Sequence, residues 1–253
     1  MLPDPFGAAG ALLGGAFVVF PLIFLGVVAL MVVLAVRGFR ASRRRRDAIS
    51  ATVAAHHLGH LAEDPSRTAY FTSPPFGIGR RRRARDIVWG TMGGRPFETF
   101  AYSYETESRD GEGRTTTTTH SFQVTWVPLP VALPTMRLTG DNAVLRALGR
   151  LGARDLDTES HEFNQRWKVW ADDERVAHAI LTPRVIARLL GDDLAGRAFV
   201  IEGSAILSYA TSASDLAELP LVVGALYDLV DAIPAFLLEG PREAGPAAGG
   251  PVG

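Results

Sequence analysis

The sequence predicts an α+β protein: an N-terminal single transmembrane helix followed by a mainly antiparallel sheet with packed helices. Three observations predict it. No residue between Asp4 and Arg37 carries a side-chain charge. Further on, apolar and polar residues alternate with period two between glycine-rich turns, as half-buried strands require. Later segments take helical spacing behind acidic or threonine caps.

The first element is the span. Leu12 to Val36 is 25 residues, which makes a helix of roughly 37 Å at about 1.5 Å per residue, enough to cross a bilayer with tilt. Seventeen of these residues are Leu, Ile, Phe or Val. At about −0.3 to −0.6 kcal/mol each, insertion gains at most about 5–10 kcal/mol. A cleaved signal peptide needs a basic start and a shorter apolar run, whereas Met1 to Phe6 holds Asp4 and no Arg or Lys. Pro21 is tolerated in mid-span. Gly10 and Gly14 form G-x-x-x-G, a spacing that lets two helices approach and suggests a homodimer through the span.

Charge gives the orientation. The net charge of −1 conceals an excess of +9 between Arg37 and Arg95 and of −9 from Pro96 onward. The N-terminal flank of the span has no Arg or Lys, while the other flank holds Arg37, Arg40 and the run Arg43 to Arg46. The positive-inside rule therefore predicts a single-pass protein of the plasma (inner) membrane with its C-terminus cytoplasmic. Residues 1–11 become a short extracytoplasmic N-terminus, 12–36 the span, 37–65 a basic juxtamembrane helix and 66–239 a soluble α+β domain. Residues 240–253, rich in Gly, Pro and Ala, have nothing to bury and are expected to be a disordered tail.

Asp47 to Leu61 reads as the juxtamembrane helix, and Pro65, Pro74, Pro75, Gly77 and Gly79 mark a linker after it. Asp86 to Met92 reads as a strand, with Gly93-Gly94 turning into a second in which Phe100, Tyr102 and Tyr104 alternate with polar or small residues. A loop at Asp110–Gly113 leads to a third, with His120, Phe122, Val124 and Trp126 on one face. Pro128, Pro130 and Pro134 are expected to end this meander before a short strand at Thr135–Thr139. Asp141 caps a predicted short helix. A strand carrying Phe163, Trp167, Val169 and Ala171 follows, then a helix from Asp172-Asp173-Glu174, restarted by Thr182-Pro183 and closed by Gly191. Phe199–Glu202 and Ala205–Tyr209 read as a second hairpin, and Leu216 to Leu238 as an amphipathic helix.

The run from Glu162 through Asn164, Gln165, Arg166 and Trp167 to Val169, then Asp173, Ala177 and Leu181-Thr182-Pro183, resembles an uncharacterised bacterial family of membrane-anchored proteins with no assigned function. Trp126-Val127-Pro128-Leu129-Pro130 and Leu133-Pro134 fit the same resemblance. It covers about half the chain and implies a tethered α+β domain, with no functional residues to carry over. The order of strands before a C-terminal helix is also loosely similar to pleckstrin-homology-like domains.

Candidate chemistry is sparse. The absence of Cys excludes disulfides, thiolate metal sites and cysteine nucleophiles. His161-Glu162 opens like H-E-x-x-H, but the fifth position is Gln165, and the segment reads as a strand. His56 and His60 share a predicted helix face yet find only Glu63 nearby, too few ligands for zinc. Asp155, Asp157 and Glu159 begin like a calcium loop that lacks its glycine, Ser160 standing there. The nucleophile-elbow and phosphate-loop patterns are absent, so no cofactor is expected. No aromatic platform accompanies the arginine runs, so no nucleic acid is expected either. Thr115–Thr119 finds no functional account. The sequence is read as a non-catalytic binding or regulatory module whose partners are a bilayer with anionic headgroups and a membrane or cytoplasmic protein. The alternative is a membrane-associated hydrolase built from scattered residues such as His161 and Glu162. The residues expected to contact headgroups are Arg43, Arg44, Arg45 and Arg46 beside the span and Arg80, Arg81, Arg82, Arg83 and Arg85 beyond the linker.

Overall fold

The computed structural model describes residues 24–34, 36–37, 47, 49–140, 156–211 and 218–239. The chain divides into two compact units, Met1–Ala51 and Thr52–Gly253. In the first, residues 24–34 are helical, and apolar side chains all round that helix, from Phe24 to Leu34, are exposed. Among the described residues no helix is long and apolar enough to cross a membrane. The rest of the predicted span, Gly10, Gly14, Arg43 to Arg46, the helix expected after Asp141 and the tail lie outside the described residues.

In the second unit, period-two alternation produces six antiparallel strands: β1 (Gly59–Glu63), β2 (Arg80–Met92), β3 (Arg95–Arg109), β4 (Thr115–Thr139), β5 (Lys168–Ala171) and β6 (Arg197–Thr211). β1, β2, β3, β4 and β5 neighbour one another in sequence order, and β6 pairs with β4. Val124 pairs with both Phe100 and Tyr209, and Met136 with both Ala171 and Ile201. β6 thus holds one edge of β4, while β3 and then β5 take the other. The turn between β2 and β3 has φ of +59° at Gly93 and +78° at Gly94, the twist a tight hairpin needs and glycine supplies at least cost. Asp110 closes the next turn by accepting the amides of Glu112 (3.1 Å) and Arg114 (2.8 Å) at its Oδ1.

Each face of this sheet buries an apolar cluster. One is largely aromatic: Phe71, Phe76, Phe100, Tyr102, Tyr104, Phe122 and Tyr209, with Val124, Val200 and Leu207. The other joins Val127, Leu133, Met136, Leu138, Val169, Phe199, Ile201 and Ile206 to the helices. These are α1 (His161–Arg166), α2 (Glu174–Ile180), α3 (Pro183–Leu189), α4 (Leu219–Ala232) and α5 (Ala235–Leu238). Asp173 caps α2 through the amides of Arg175 and Val176, and Thr182 caps α3 through that of Val185, as their residue types predict.

Several expectations are corrected. The juxtamembrane helix does not reach Leu61: it ends at His56, His57 turns with φ +52°, and β1 begins at Gly59. The sheet therefore starts before residue 66, and His56 and His60 share no helix face. The linker is packed structure, a 3-10 helix at Pro65–Ala69 followed by buried Phe71 and Phe76. β2 starts at Arg80, six residues earlier than expected. His161–Arg166 is a helix, capped by Ser160, and not a strand. Gly191 follows the last turn of α3 as expected, with a φ of −59°, and leads into a 3-10 turn at Asp192–Leu194.

Two strands expected to break run through. β4 continues across all three prolines because they fall where its β3/β5 edge is vacant, between the pairs at Trp126 and Met136. Across the same stretch, from Pro128–Ala205 to Met136–Ile201, β4 advances eight residues while β6 covers four. The surplus bulges out of the ladder and bends the strand. The second hairpin is likewise one strand: both halves of β6 pair with β4. Gly203, at φ +57°, absorbs a change of parity that keeps Phe199, Ile201 and Ile206 on one face.

Candidate functional site

The five arginines near the start of β2 form the only part of the predicted headgroup site within the described residues. β1 pairs with β2 from Glu63–Arg85 to Gly59–Trp89, so Arg80–Arg83 run past its end as open edge. The strand is irregular there: Arg81 has φ +49°, Asp86 has φ +51°, and the β2–β3 register shifts beside each. These two kinks are β-bulges, which turn neighbouring side chains to different sides of the sheet. Arg80 is ion-paired with Glu107, Arg81 with Glu105 (3.3 Å) and Arg85 with Glu63 (3.6 Å). The three pairs are largely solvent-exposed and contribute little each, but they engage three of the five guanidinium groups. Arg82 lies close enough to Tyr102 to act on its hydroxyl, which burial pushes up to about 12 while the guanidinium opposes the shift.

Beside this strand, Arg67 fixes the 3-10 helix to the sheet. It donates to Glu98 from Nε (3.1 Å) and Nη2 (3.0 Å), pairs with Asp64 (2.9 Å), bonds the Tyr70 hydroxyl and stacks over that ring at 4.5 Å. Glu98 also accepts from Trp126 Nε1 at 3.1 Å. Further along, Glu202 accepts at Oε1 from the amide and hydroxyl of Thr72 (both 2.7 Å) and at Oε2 from the Ser73 amide (3.0 Å). Burial alone would raise the carboxyl's pKa; the hydrogen bonds from Thr72 and Ser73 outweigh it and hold the group below its ordinary range. Both nodes are structural clamps.

Two concave features accompany the helices. A groove of about 560 Å³ lies among the β2–β3 turn, Pro128, Pro130 and the end of α4. Its polar lining is already engaged: Arg95 makes two 2.7 Å bonds to Asp231 and stacks on Tyr227 at 3.8 Å, and the Tyr227 hydroxyl donates to the Pro96 carbonyl. The second is an apolar void of about 20 Å³ between Met136, Leu138, Val185, Phe199 and Ile206. His161 and Glu162 are exposed on α1, where His161 Nε2 meets Gln165 Nε2 at 2.9 Å. The helix demanded by the zinc motif is thus present, and the second histidine is not. Among the described residues no three His, Asp or Glu side chains are grouped to hold a metal ion.

Buried polar groups that the alternation did not reveal lie within both faces. Arg137 is buried and stacked on Trp170 at 4.0 Å; among the described residues neither its Nε nor Trp170 Nε1 has a hydrogen-bond partner. Burial lowers its pKa, opposed by Tyr209, Asp172 and Glu202. On the helix side, Thr99, Gln123 and Thr125 form a buried network, with Gln123 Nε2 donating to Thr99 Oγ1 at 2.8 Å and Thr99 Oγ1 lying 2.9 Å from Thr125 Oγ1.

No family model matches the sequence, and no curated protein does. A solved structure is similar: the mycobacterial trehalose monomycolate transport factor A, TtfA, at 13% sequence identity and a TM-score of 0.53, covering 78% of this chain and 95% of that one. At that identity the likeness is one of fold, here the antiparallel sheet with its helices.

Proposed function

We propose that this chain is a membrane-tethered, cytoplasmic, non-catalytic binding or regulatory module of the plasma membrane, held by a helix at 12–36. The observation that carries the reading is the helix at residues 24–34. Ten large apolar side chains there and at Val36 are 41–70% exposed, an arrangement whose natural solvent is hydrocarbon. The charge step at Arg37–Arg46 supports a cytoplasmic C-terminus. Arg43 to Arg46, with Arg82 and Arg83 as the least neutralised members of the second run, face anionic headgroups.

Two measurements test this. The full chain should stay in the membrane pellet after alkaline extraction, and a C-terminal reporter active only after export should stay dark. Release into the supernatant, or a lit reporter, overturns the reading. For the headgroup contact, a fragment starting near Arg40 is mixed with neutral and anionic vesicles. Binding should require anionic lipid and weaken with salt. At about 1 kcal/mol per arginine near the surface, changing Arg43–Arg46 to Ser should cost more than changing Arg80–Arg85, because ion pairs already occupy three of the latter. If the second run can be neutralised without effect, it does not lie at the membrane.

A further inference from the structure

Among the described residues, every open strand edge of the sheet is guarded except one. β1 and β5 are only five and four residues long. The edge of β2 beyond β1 carries Arg80–Arg83, and that of β3 beyond Glu105 carries Glu107 and Arg109. The vacant stretch of β4 holds its three prolines, and the outer edge of β6 is buried along most of its length. Short strands, charges, prolines and burial are the usual ways of keeping an edge from pairing. Residues 115–119 of β4 have none of these along their free side. β3 occupies one side of them in an unbroken register from Glu98–Trp126 to Arg109–Thr115, and β6 joins the other side only at Gln123. Thr115 to Thr119 are all exposed, uncharged and β-branched, which suits them to extended pairing.

We propose that this threonine edge pairs antiparallel with the same edge of a second copy of the chain, joining two sheets across a two-fold axis. Self-pairing is favoured because a run of five identical residues reads the same in both directions. With Thr117 on the axis, Thr115 faces Thr119 and Thr116 faces Thr118, so threonine meets threonine at every position and no like charges meet within the run. Such cross-strand pairs are favourable, and the geometry is isologous, as a two-fold contact requires. The contact is small, well under the roughly 1,200 Å² of a standard stable interface, so the dimer is weak in dilute solution. Tethering two copies to one membrane raises their effective concentration and favours it. The pairing itself does not depend on the tether.

The chain has no cysteine, so single substitutions report cleanly. Thr115→Cys through Thr119→Cys are made one at a time in the full chain, in detergent and in membranes, and oxidised mildly, with Ser66→Cys as an exposed control. On an antiparallel two-fold axis only the axial residue meets its own copy within disulfide range. One residue away, the copies lie about two strand residues apart, beyond roughly 7 Å. Disulfide dimer should therefore peak sharply at one of the five positions, in both detergent and membranes. It should fall to the control level when Thr115→Lys and Thr119→Lys guard the edge, with thermal unfolding of that variant unchanged. Uniform crosslinking no faster than Ser66→Cys overturns the proposal, as does a product whose mass contains a different protein. A sharp peak from a chain that alkaline extraction releases would keep the pairing and remove only the tether.

Discussion

Glu202 offers the most direct check on how the segment between β1 and β2 is held. Its carboxylate receives three hydrogen bonds from Thr72 and Ser73, residues 129 to 130 positions away in sequence. That segment carries Phe71 and Phe76 onto the aromatic face, where Phe76 sits 4.5 Å from the Tyr102 ring. Replacing Glu202 by Gln keeps the shape but removes the charge and leaves one side of the group presenting N–H to donors. Hydrogen bonds to a charged group contribute about 1.5–3 kcal/mol each, and an amide retains part of that, so a loss of about 1–3 kcal/mol is expected. The folded-state pKa of Glu202 is depressed. Its contribution is therefore complete above the unfolded value, near pH 4.3, and is lost as pH falls through the lower folded value. The gap between wild type and Glu202→Gln should be largest at neutral pH and shrink on acidification. Denaturant unfolding of the full chain in detergent at pH 7 and in the acid range measures it, and hydrogen exchange at the Thr72 and Ser73 amides should accelerate in the variant. A gap under about 0.5 kcal/mol at pH 7, or one that acid leaves intact, would refute the clamp.

The remaining predictions concern packing and caps. Phe100→Ala, at a fully buried ring of the aromatic cluster, should cost about 3–5 kcal/mol in denaturant unfolding. Val185→Ile adds one methylene to the void of about 20 Å³ and should stabilise by up to about 0.8 kcal/mol; a lower melting temperature would mean the space cannot accept it. Asp173→Ala removes the acceptor for two amides at the start of α2 and should cost about 0.5–2 kcal/mol, whereas Asp173→Asn should retain most of it.

Local rules located much of this architecture. The β3–β4 hairpin with its turn, the Gly93-Gly94 turn before it and the caps at Asp173 and Thr182 follow from residue types a few positions apart, because each is closed by bonds within one turn or one pair of strands. Where the expectations failed, partners distant in sequence decided. Prolines at 128, 130 and 134 stop a strand that must donate on both sides, but a long ladder to β6 carries β4 across them. Gly203-Ser204 looks like a hairpin tip until β4 is seen to pair with the residues on both sides of it. Pro65 to Gly79 has the composition of a linker and is ordered through Glu98, Glu202 and the aromatic face. Thr99, Gln123 and Thr125 alternate as solvent-facing residues would, and are buried all the same.

The candidate site divides along the same line. The arginine runs are visible in the sequence as charge, since composition needs no neighbours. That Arg80, Arg81 and Arg85 are ion-paired is invisible there, because Glu107, Glu105 and Glu63 reach them only through strand register. So is the edge at Thr115–Thr119, which among the described residues pairs with β3 alone. By itself the sequence determined which segments are apolar, which alternate and where α2 and α3 begin, properties carried by a residue and its near neighbours. The tertiary structure alone decided which edges are covered, which charges are neutralised and which polar groups are buried, because those depend on chain segments many residues apart.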